Sequence, residues 1–346
     1  MARVRAVVVT HNRRELLLRC LDALAAQTNA VAGAIVVDSA STDGTDAALA
    51  AAEVCRRLPV DYIRLTRNGG GAEGFHYGLR AALDTDADWI WLMDDDSAPA
   101  PDALAQLLDA PRASDPSAVL LAPLVETPGG QVLPLNRGWL RPRWFKAPLV
   151  GLAPGDWGQA ELPVEHVSLV GPLVRADAAR RTDPPRRDFF IWFDDLEWVA
   201  RLRRLGGVWL IPASRIVHWD ERQLADASPL GLVRDLFRGE PFAGAWKRAY
   251  GLRNLIWTGR RDGWFSAPRA LSFTAVAAVR ALVSGPPRRR ALRLTLAYAR
   301  DGWRGRFLNV APGDWAGVAG ARDPLGYLSA RALDYGSETD TPARRL

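Results

Sequence analysis

The sequence predicts an α/β fold with a mostly parallel central sheet, followed toward its C-terminus by a helical region. Four short apolar runs in the first hundred residues alternate with segments of helical periodicity, the pattern of βαβ units with right-handed crossovers. Each run stops at a polar residue or a glycine-rich turn. Past residue 236, long stretches follow in which arginine, leucine and aromatic residues recur.

The first strand covers Arg5–Val9 and ends at Thr10. Asn12 stands three residues before Glu15, the spacing of a capping box, and Leu17, Cys20, Leu21 and Leu24 follow on one helical face. A second strand, Ala34–Val37, ends at Asp38 and the turn Ser-Ala-Ser-Thr-Asp-Gly, with a helix expected over roughly 45–57. The third, Tyr62–Leu65, runs into Asn68-Gly-Gly-Gly and a helix from about Glu73 to Leu83. The fourth, Trp89–Met93, leads directly into Asp94-Asp95-Asp96. Later, Leu196, Val199, Leu202 and Leu205 mark a helix that Gly206-Gly207 would close. Two strand-like pieces, 208–211 and 215–217, then end at His218.

With 346 residues, 48% of them hydrophobic and 24% charged, the chain can build a sizeable core, which excludes wholesale disorder. Its two cysteines, Cys20 and Cys55, fall in helical segments, which excludes a disulfide scaffold or a cysteine zinc site and suits a reducing compartment. The N-terminal apolar run is too short for a signal sequence, and no 18-residue run lacks charge, so no membrane-spanning segment is expected. The net charge of +6 is unevenly spread: residues 251–310 hold twelve arginines against two aspartates.

In parallel sheets ligands bind beyond the carboxyl ends of the strands, and Thr10, Asp38, Asn68 and the three aspartates all lie there. Three adjacent carboxylates raise one another's pKa unless a cation neutralises them, and Mg²⁺ or Mn²⁺ prefers such oxygen ligands, often shared with phosphates. Pro99 and Pro101 stiffen the following loop; a solvated acidic loop is the plainer alternative. Gly69, Gly71 and Gly74 also satisfy G-x-G-x-x-G, with Asp94 further on, so an NAD(P)-dependent oxidoreductase using the Gly69–Gly74 loop is the competing reading. Against it, the motif follows the third strand and not the first. Asp194 and Asp195 fall at a helix N-terminus, where the dipole favours a carboxylate; they read either as caps or as a general base. His218, at a strand end, could complete a cation's coordination.

Taken together, Val-Val-Thr-His-Asn (8–12), Val-Val-Asp-Ser-Ala-Ser-Thr-Asp-Gly-Thr (36–45), Asn-Gly-Gly-Gly-Ala-Glu-Gly-Phe (68–75), Asp-Trp-Ile-Trp-Leu-Met-Asp-Asp-Asp (88–96), Phe-Asp-Asp-Leu-Glu-Trp (193–198) and His218 resemble the inverting glycosyltransferases of family 2, which have the GT-A nucleotide-sugar-binding fold. The glycine tract and the Trp-x-Trp-Leu-Met-Asp-Asp-Asp run resemble more narrowly the actinobacterial galactofuranosyl- and rhamnosyltransferases that extend lipid-linked cell-wall glycans. The resemblance implies a UDP- or dTDP-sugar donor and a glycan or polyprenyl-linked glycan acceptor. It implies that Thr10 and Asp38 hold the nucleotide base, with Arg67, Asn68 and Asp95 nearby. Asp94, Asp96 and His218 would bind Mn²⁺ or Mg²⁺, and Asp195, beside Asp194, would be the base. Gly70, Gly71, Glu73 and Trp192 would line the sugar or acceptor pocket; Glu73 departs from the small glycine usual in these relatives.

Tyr250-Gly-Leu-Arg-Asn resembles the helix that follows the catalytic domain in these enzymes. The expected organisation is a catalytic domain over 1–235, an Arg-rich amphipathic helical region over 236–333 and a disordered tail over 334–346. Arginine mixed with Trp257, Trp264, Phe265 and Trp303 suits an anionic membrane surface, hence a cytoplasmic enzyme held on the inner face of the membrane. A solvated or homo-oligomerising helical face is the alternative. No nucleic-acid motif accompanies the tract, so nucleic acid is not an expected partner.

Overall fold

The computed structural model describes residues 2–141, 148–219, 246–264, 266–283, 288–335 and 343–345. The chain runs β1 (Val4–Thr10), α1 (Arg14–Ala25), β2 (Gly33–Asp38), α2 (Thr45–Ala51), α3 (Val54–Arg57), β3 (Val60–Leu65), α4 (Gly70–Leu83) and β4 (Trp89–Asp94). It continues through β5 (Ser97–Pro99), α5 (Ala103–Asp109), α6 (Pro111–Ser114), β6 (Ala118–Glu126), β7 (Arg137–Leu140), β8 (Leu149–Gly151), β9 (Leu162–Pro163), β10 (His166–Val167), β11 (Leu173–Arg175), α7 (Ala176–Arg180), α8 (Asp194–Leu202) and β12 (Gly207–His218). Three long helices follow, Trp246–Arg261, Ala267–Val283 and Arg288–Arg304.

The main sheet has the order β3-β2-β1-β4-β11-β6-β12-β5. Strands β3, β2, β1 and β4 are mutually parallel, β11 runs antiparallel between β4 and β6, and β12 is parallel to β6. A small second sheet, β10-β7-β8, stands beside it. Both faces of β1, β2 and β4 are covered, which is why these strands read as nearly continuous apolar runs, whereas β3 keeps Asp61 exposed and Arg64 half-buried. Val7 and Val9 of β1 join Phe75 and Leu79 of α4 in one core, while Ala6 and Val8 join Leu17, Leu21 and Leu24 of α1 in the other. The chain leaves β1 toward β2 on one side and returns as β4 on the other, so the carboxyl ends of β1 and β4 form the switch point where a crevice opens.

Several local expectations shift. The capping box of Asn12 does not form: Asn12 takes φ +53 and its side-chain oxygen accepts from Thr42 N at 2.7 Å, while Asp43 accepts from Arg14 N at 3.1 Å. A loop 30 residues away thus supplies the partner that a local cap would have been. The helix over 45–57 is split at Ala52, whose backbone is extended (φ −72, ψ 129). Leu49 and Val54 are both buried, and five residues apart on one helix they would point about 140° away from each other. The pieces at 208–211 and 215–217 are one strand with a register shift between Ile211 and Arg215.

At the C-terminal end, Ala343–Arg345 pairs antiparallel with β3, within the segment expected to be disordered. The expected boundary at 235/236 lies outside the described residues, as does Phe265. The helical region is not a detached appendage. Phe190, from the segment leading into α8, shares a core with Trp246, Tyr250, Tyr298 and Trp315. No helix among the described residues is long and apolar enough to cross a membrane.

Candidate active site

The acidic cluster lies at the switch point because β4 ends at Asp94 and the chain turns at once into β5. β5 pairs antiparallel with the end of β12, His218 opposite Ser97, which brings the imidazole against the cluster. His218 Nε2 stands 3.1 Å from Asp96 Oδ1, and ligand atoms of Asp94, Asp96 and His218 all fall within 4.8 Å of one another. Two ligands at right angles on a cation with bonds of about 2.1 Å stand about 3 Å apart, which the His218–Asp96 separation of 3.1 Å matches. His218 Nδ1 is buried with no partner among the described residues.

Electrostatics agree with a cation site. Burial and the neighbouring Asp96, Asp95 and Asp194 push the Asp94 carboxyl well above the usual range. Burial also pushes Asp95 up to about 6, against the pull of Arg13 and the Thr10 hydroxyl, which donates at 2.8 Å. Burial pushes Asp96 up as well, but His218 and Arg13 hold it below the ordinary value. Arg13 Nη1 donates to Asp96 at 2.6 Å and to Asp95 at 3.2 Å. Arg13 was not read from the sequence, where it is one more arginine at a helix start. Behind the cluster, the Sγ of fully buried Cys20 lies 3.9 Å from the Asp94 carbonyl.

Asp194 and Asp195 open α8, as the sequence predicts. Burial, and then the Asp195 charge, pushes Asp194 up to about 7; burial pushes Asp195 to about 6 against the pull of Arg137. Arg137 is itself fully buried, and burial pushes its guanidinium down to about 9. It donates to the carbonyls of Pro123 (3.1 Å), Asn136 (2.8 Å), Ser168 (3.2 Å) and Val170 (2.5 Å). This cation, whose charge acts on Asp195, carries no local sequence signal. One turn along α8 from Asp194, the buried Glu197 accepts from Arg201 and, at 2.6 Å, from Arg261 of the helical region. Part of the C-terminal arginine excess is therefore used inside the protein.

The remaining expected residues surround this centre with differing freedom. Asp38 is fully buried and accepts from Ser41 N (2.7 Å) and the Tyr62 hydroxyl, so it builds the loop after β2; a direct contact to a base would have to displace one of these. Asn68 accepts from Gly70 N at 2.9 Å and shapes the turn into α4. Arg67 donates to Glu73 (3.0 Å) and the Asp334 carbonyl (2.8 Å) and lies over the Tyr335 ring. Glu73 is buried; burial raises its pKa against Arg67 and Arg187, and it faces Arg67 and not open space. Gly70 sits at φ +84, where a Cβ would overlap the Phe190 carbonyl, whereas Gly71 faces open space. Trp192 is 45% exposed at φ +63.

Two glycines of the G-x-G-x-x-G pattern have packing roles: Gly69 lies against the Glu73 carboxylate and Gly74 against Val9. They do not need a dinucleotide to account for them.

The fold and this arrangement define the GT-A class of glycosyltransferase folds. Two solved structures share the fold. One is GalNAc-T7 with UDP, GalNAc and Mn²⁺, with TM-score 0.56 and 15% identity over 88% of this chain and 56% of that one. The other is the mannosyltransferase PcManGT of Pyrobaculum calidifontis with GDP-Man and Mn²⁺, with TM-score 0.50 and 19% identity over 95% and 85%. Residues 6–153 match the glycosyl transferase family 2 model. Galactofuranosyltransferase GlfT1 of Mycolicibacterium smegmatis is 35% identical over 206 residues, 58% of this chain and 65% of the relative. The GlfT1 of Mycobacterium tuberculosis is 36% identical over 207 residues, 58% and 64%. The chain thus covers slightly less than two thirds of the length of these relatives.

Proposed function

We propose that the protein is a metal-dependent, inverting glycosyltransferase that moves a sugar from a nucleotide donor to a hydroxyl of a glycan or polyprenyl-linked glycan. One observation carries the reading: Asp94, Asp96 and His218 converge at the switch point, and the buried Asp194, next to the half-buried Asp195, lies close enough to raise Asp94. The relatives named as galactofuranosyltransferases favour UDP-galactofuranose as donor, with dTDP-rhamnose the nearest competitor.

In this mechanism Asp195 accepts the proton of the acceptor hydroxyl as its oxygen attacks the anomeric carbon. The bond to the diphosphate breaks from the opposite face, inverting that carbon. A divalent cation on Asp94, Asp96 and His218, Mn²⁺ or Mg²⁺, supplies when bound the positive charge that the departing diphosphate needs. Arg13 holds Asp95 and Asp96 in place, and Arg137 keeps Asp195 more acidic than its burial alone would leave it. Thr10, the Asp38 loop, Arg67 and Asn68 border the nucleotide side, while Gly70, Gly71, Glu73 and Trp192 border the sugar and acceptor side. In this reading the helical region beyond 236 follows a catalytic domain over 1–235.

We also propose that the helical region rests on an anionic membrane at the cytoplasmic face. Leu271, Val279, Leu282, Leu296 and Leu325 are exposed there, beside the exposed Arg288, Arg289, Arg293, Arg300 and Arg304. The test of function is UDP release from UDP-galactofuranose, or dTDP release from dTDP-rhamnose, with and without Mn²⁺ and a galactofuranosyl acceptor. Acceptor-dependent, Mn²⁺-dependent release is expected. Binding of NAD with no Mn²⁺-dependent stabilisation by UDP or dTDP would refute the reading.

A further inference from the structure

The segment that delivers Asp195 has an unusual backbone. Phe190 (φ 67, ψ −58), Trp192 (φ 63) and Phe193 (φ 67, ψ 4) are non-glycine residues with positive φ within four positions. Such conformations persist only where the surroundings over-determine them. The Phe193 carbonyl accepts the first turn's bond from Glu197 N at 3.0 Å, so the curl of this segment sets where α8 begins and where the Asp195 carboxylate points.

What holds the curl comes from the helix Trp246–Arg261. Asn254 is fully buried, and its Nδ2 donates to the carbonyls of Phe189 (3.0 Å), Ile191 (3.1 Å) and Trp192 (2.9 Å). Its Oδ1 accepts from Arg253 Nε at 3.0 Å, which fixes the orientation of the amide. The equally buried Arg253 donates through Nη2 to the Phe189 carbonyl at 3.3 Å, and Asn309 Nδ2 donates to that of Asp188 at 2.7 Å. A helix that only had to cover the catalytic domain would need an apolar face there, and three backbone acceptors on one amide is a more specific arrangement.

We propose that Asn254 is a positioning residue for the transfer reaction: by gripping the 189–192 backbone it aims Asp195 at the acceptor hydroxyl. This rests on the assignment of Asp195 as base, and it gives the helical region a part in catalysis apart from any membrane contact. A base displaced by about an ångström loses on the order of 100-fold in rate.

The test is a cycle of Asn254→Ala, Asp195→Asn and the double variant, followed by UDP release from UDP-galactofuranose and by UDP binding with Mn²⁺. Asn254→Ala should lower kcat on the order of 100-fold, with the affinity for UDP and Mn²⁺ within about threefold of wild type. In the Asp195→Asn background it should cost almost nothing further, since two residues acting through one group are not additive. A structural role alone would lower both backgrounds by the same factor, and that result overturns the inference. So does a kcat within threefold of wild type for Asn254→Ala. Should Asn254→Ala fail to fold, Asn254→Ser, which keeps one donor, enters the same cycle with the same criteria. A fully active Asp195→Asn would instead sink the base assignment, a separately visible failure.

Discussion

Two adjacent glycines at the start of α4 should respond to the same substitution with opposite signs. Gly70 sits at φ +84 with the Phe190 carbonyl and ring where a Cβ would go. An L-residue in the left-handed region costs about 1–2 kcal/mol. Moving the Phe190 carbonyl aside also breaks the 3.2 Å bond from Ala72 N, worth about 1 kcal/mol. Gly70→Ala should therefore cost roughly 2–3 kcal/mol. Gly71 has nothing within 4 Å of its ideal Cβ and lies inside the helix, where Ala for Gly gains about 0.5–1 kcal/mol. At roughly 2.1 cal/mol/K of unfolding entropy per residue, 1 kcal/mol is worth about 1.4 °C in a chain of 346 residues. Differential scanning fluorimetry should show Gly70→Ala melting about 3–4 °C below wild type and Gly71→Ala about 1 °C above it. A Gly70→Ala that melts at or above wild type would refute the close approach of α4 to the segment carrying the base.

Other expectations follow from the same site. Asp195→Asn should cut transfer at least 100-fold while UDP binding with Mn²⁺ survives; isothermal titration reads the second and product release the first. Because the ionised form of Asp195 is the competent base and its pKa is about 6, kcat/KM should fall about tenfold per unit below pH 6 and level off above it. A profile that stays flat down to pH 5 would rule the base out. Asp194, raised to about 7, binds its proton more tightly folded than unfolded, so its contribution to stability is present below about pH 4 and lost as pH rises through about 7. Asp194→Asn should accordingly melt higher than wild type at pH 8 and no higher at pH 4. Asp96→Ala and His218→Ala should each abolish the Mn²⁺-dependent part of the thermal shift with UDP, and an undiminished shift in both would remove the cation site.

The parallel half of the fold was legible because β1, β2 and β4 are short, mostly apolar runs buried on both faces and closed by a polar stop, while the outer strand β3 mixes buried Tyr62, Ile63 and Leu65 with exposed Asp61 and half-buried Arg64. The acidic cluster was legible for the same reason, since Asp94 directly follows a strand. His218 was visible only as a candidate. Its contact with Asp96 depends on the pairing of β5 with β12 across 122 residues, which no local pattern encodes. Arg137 was missed because a guanidinium caged by carbonyls looks in sequence like any surface arginine. Asn12 misled in the other direction: its capping spacing is real, but Asp43 satisfies the helix start instead. The pentapeptide at Tyr250 was noticed for its resemblance, and only the folded chain gives its Arg and Asn a task.

Cys20 gives the site a clock of its own. Its thiol is sealed behind the aspartate cluster, and burial together with Asp95, Asp96 and Asp94 drives its pKa well up, so the thiolate that alkylating reagents require is scarce. Cys55 is partly exposed and its thiol is raised by partial burial alone, with no carboxylates against it, so it reacts sooner. Mass-resolved alkylation can therefore count two events separately, a prompt one at Cys55 and a delayed one at Cys20. The second proceeds only when α1 lifts from the sheet, so its rate measures how often the floor of the site opens. Adding UDP and Mn²⁺ should slow that second event and leave the first alone, reporting occupancy of the cleft without any turnover.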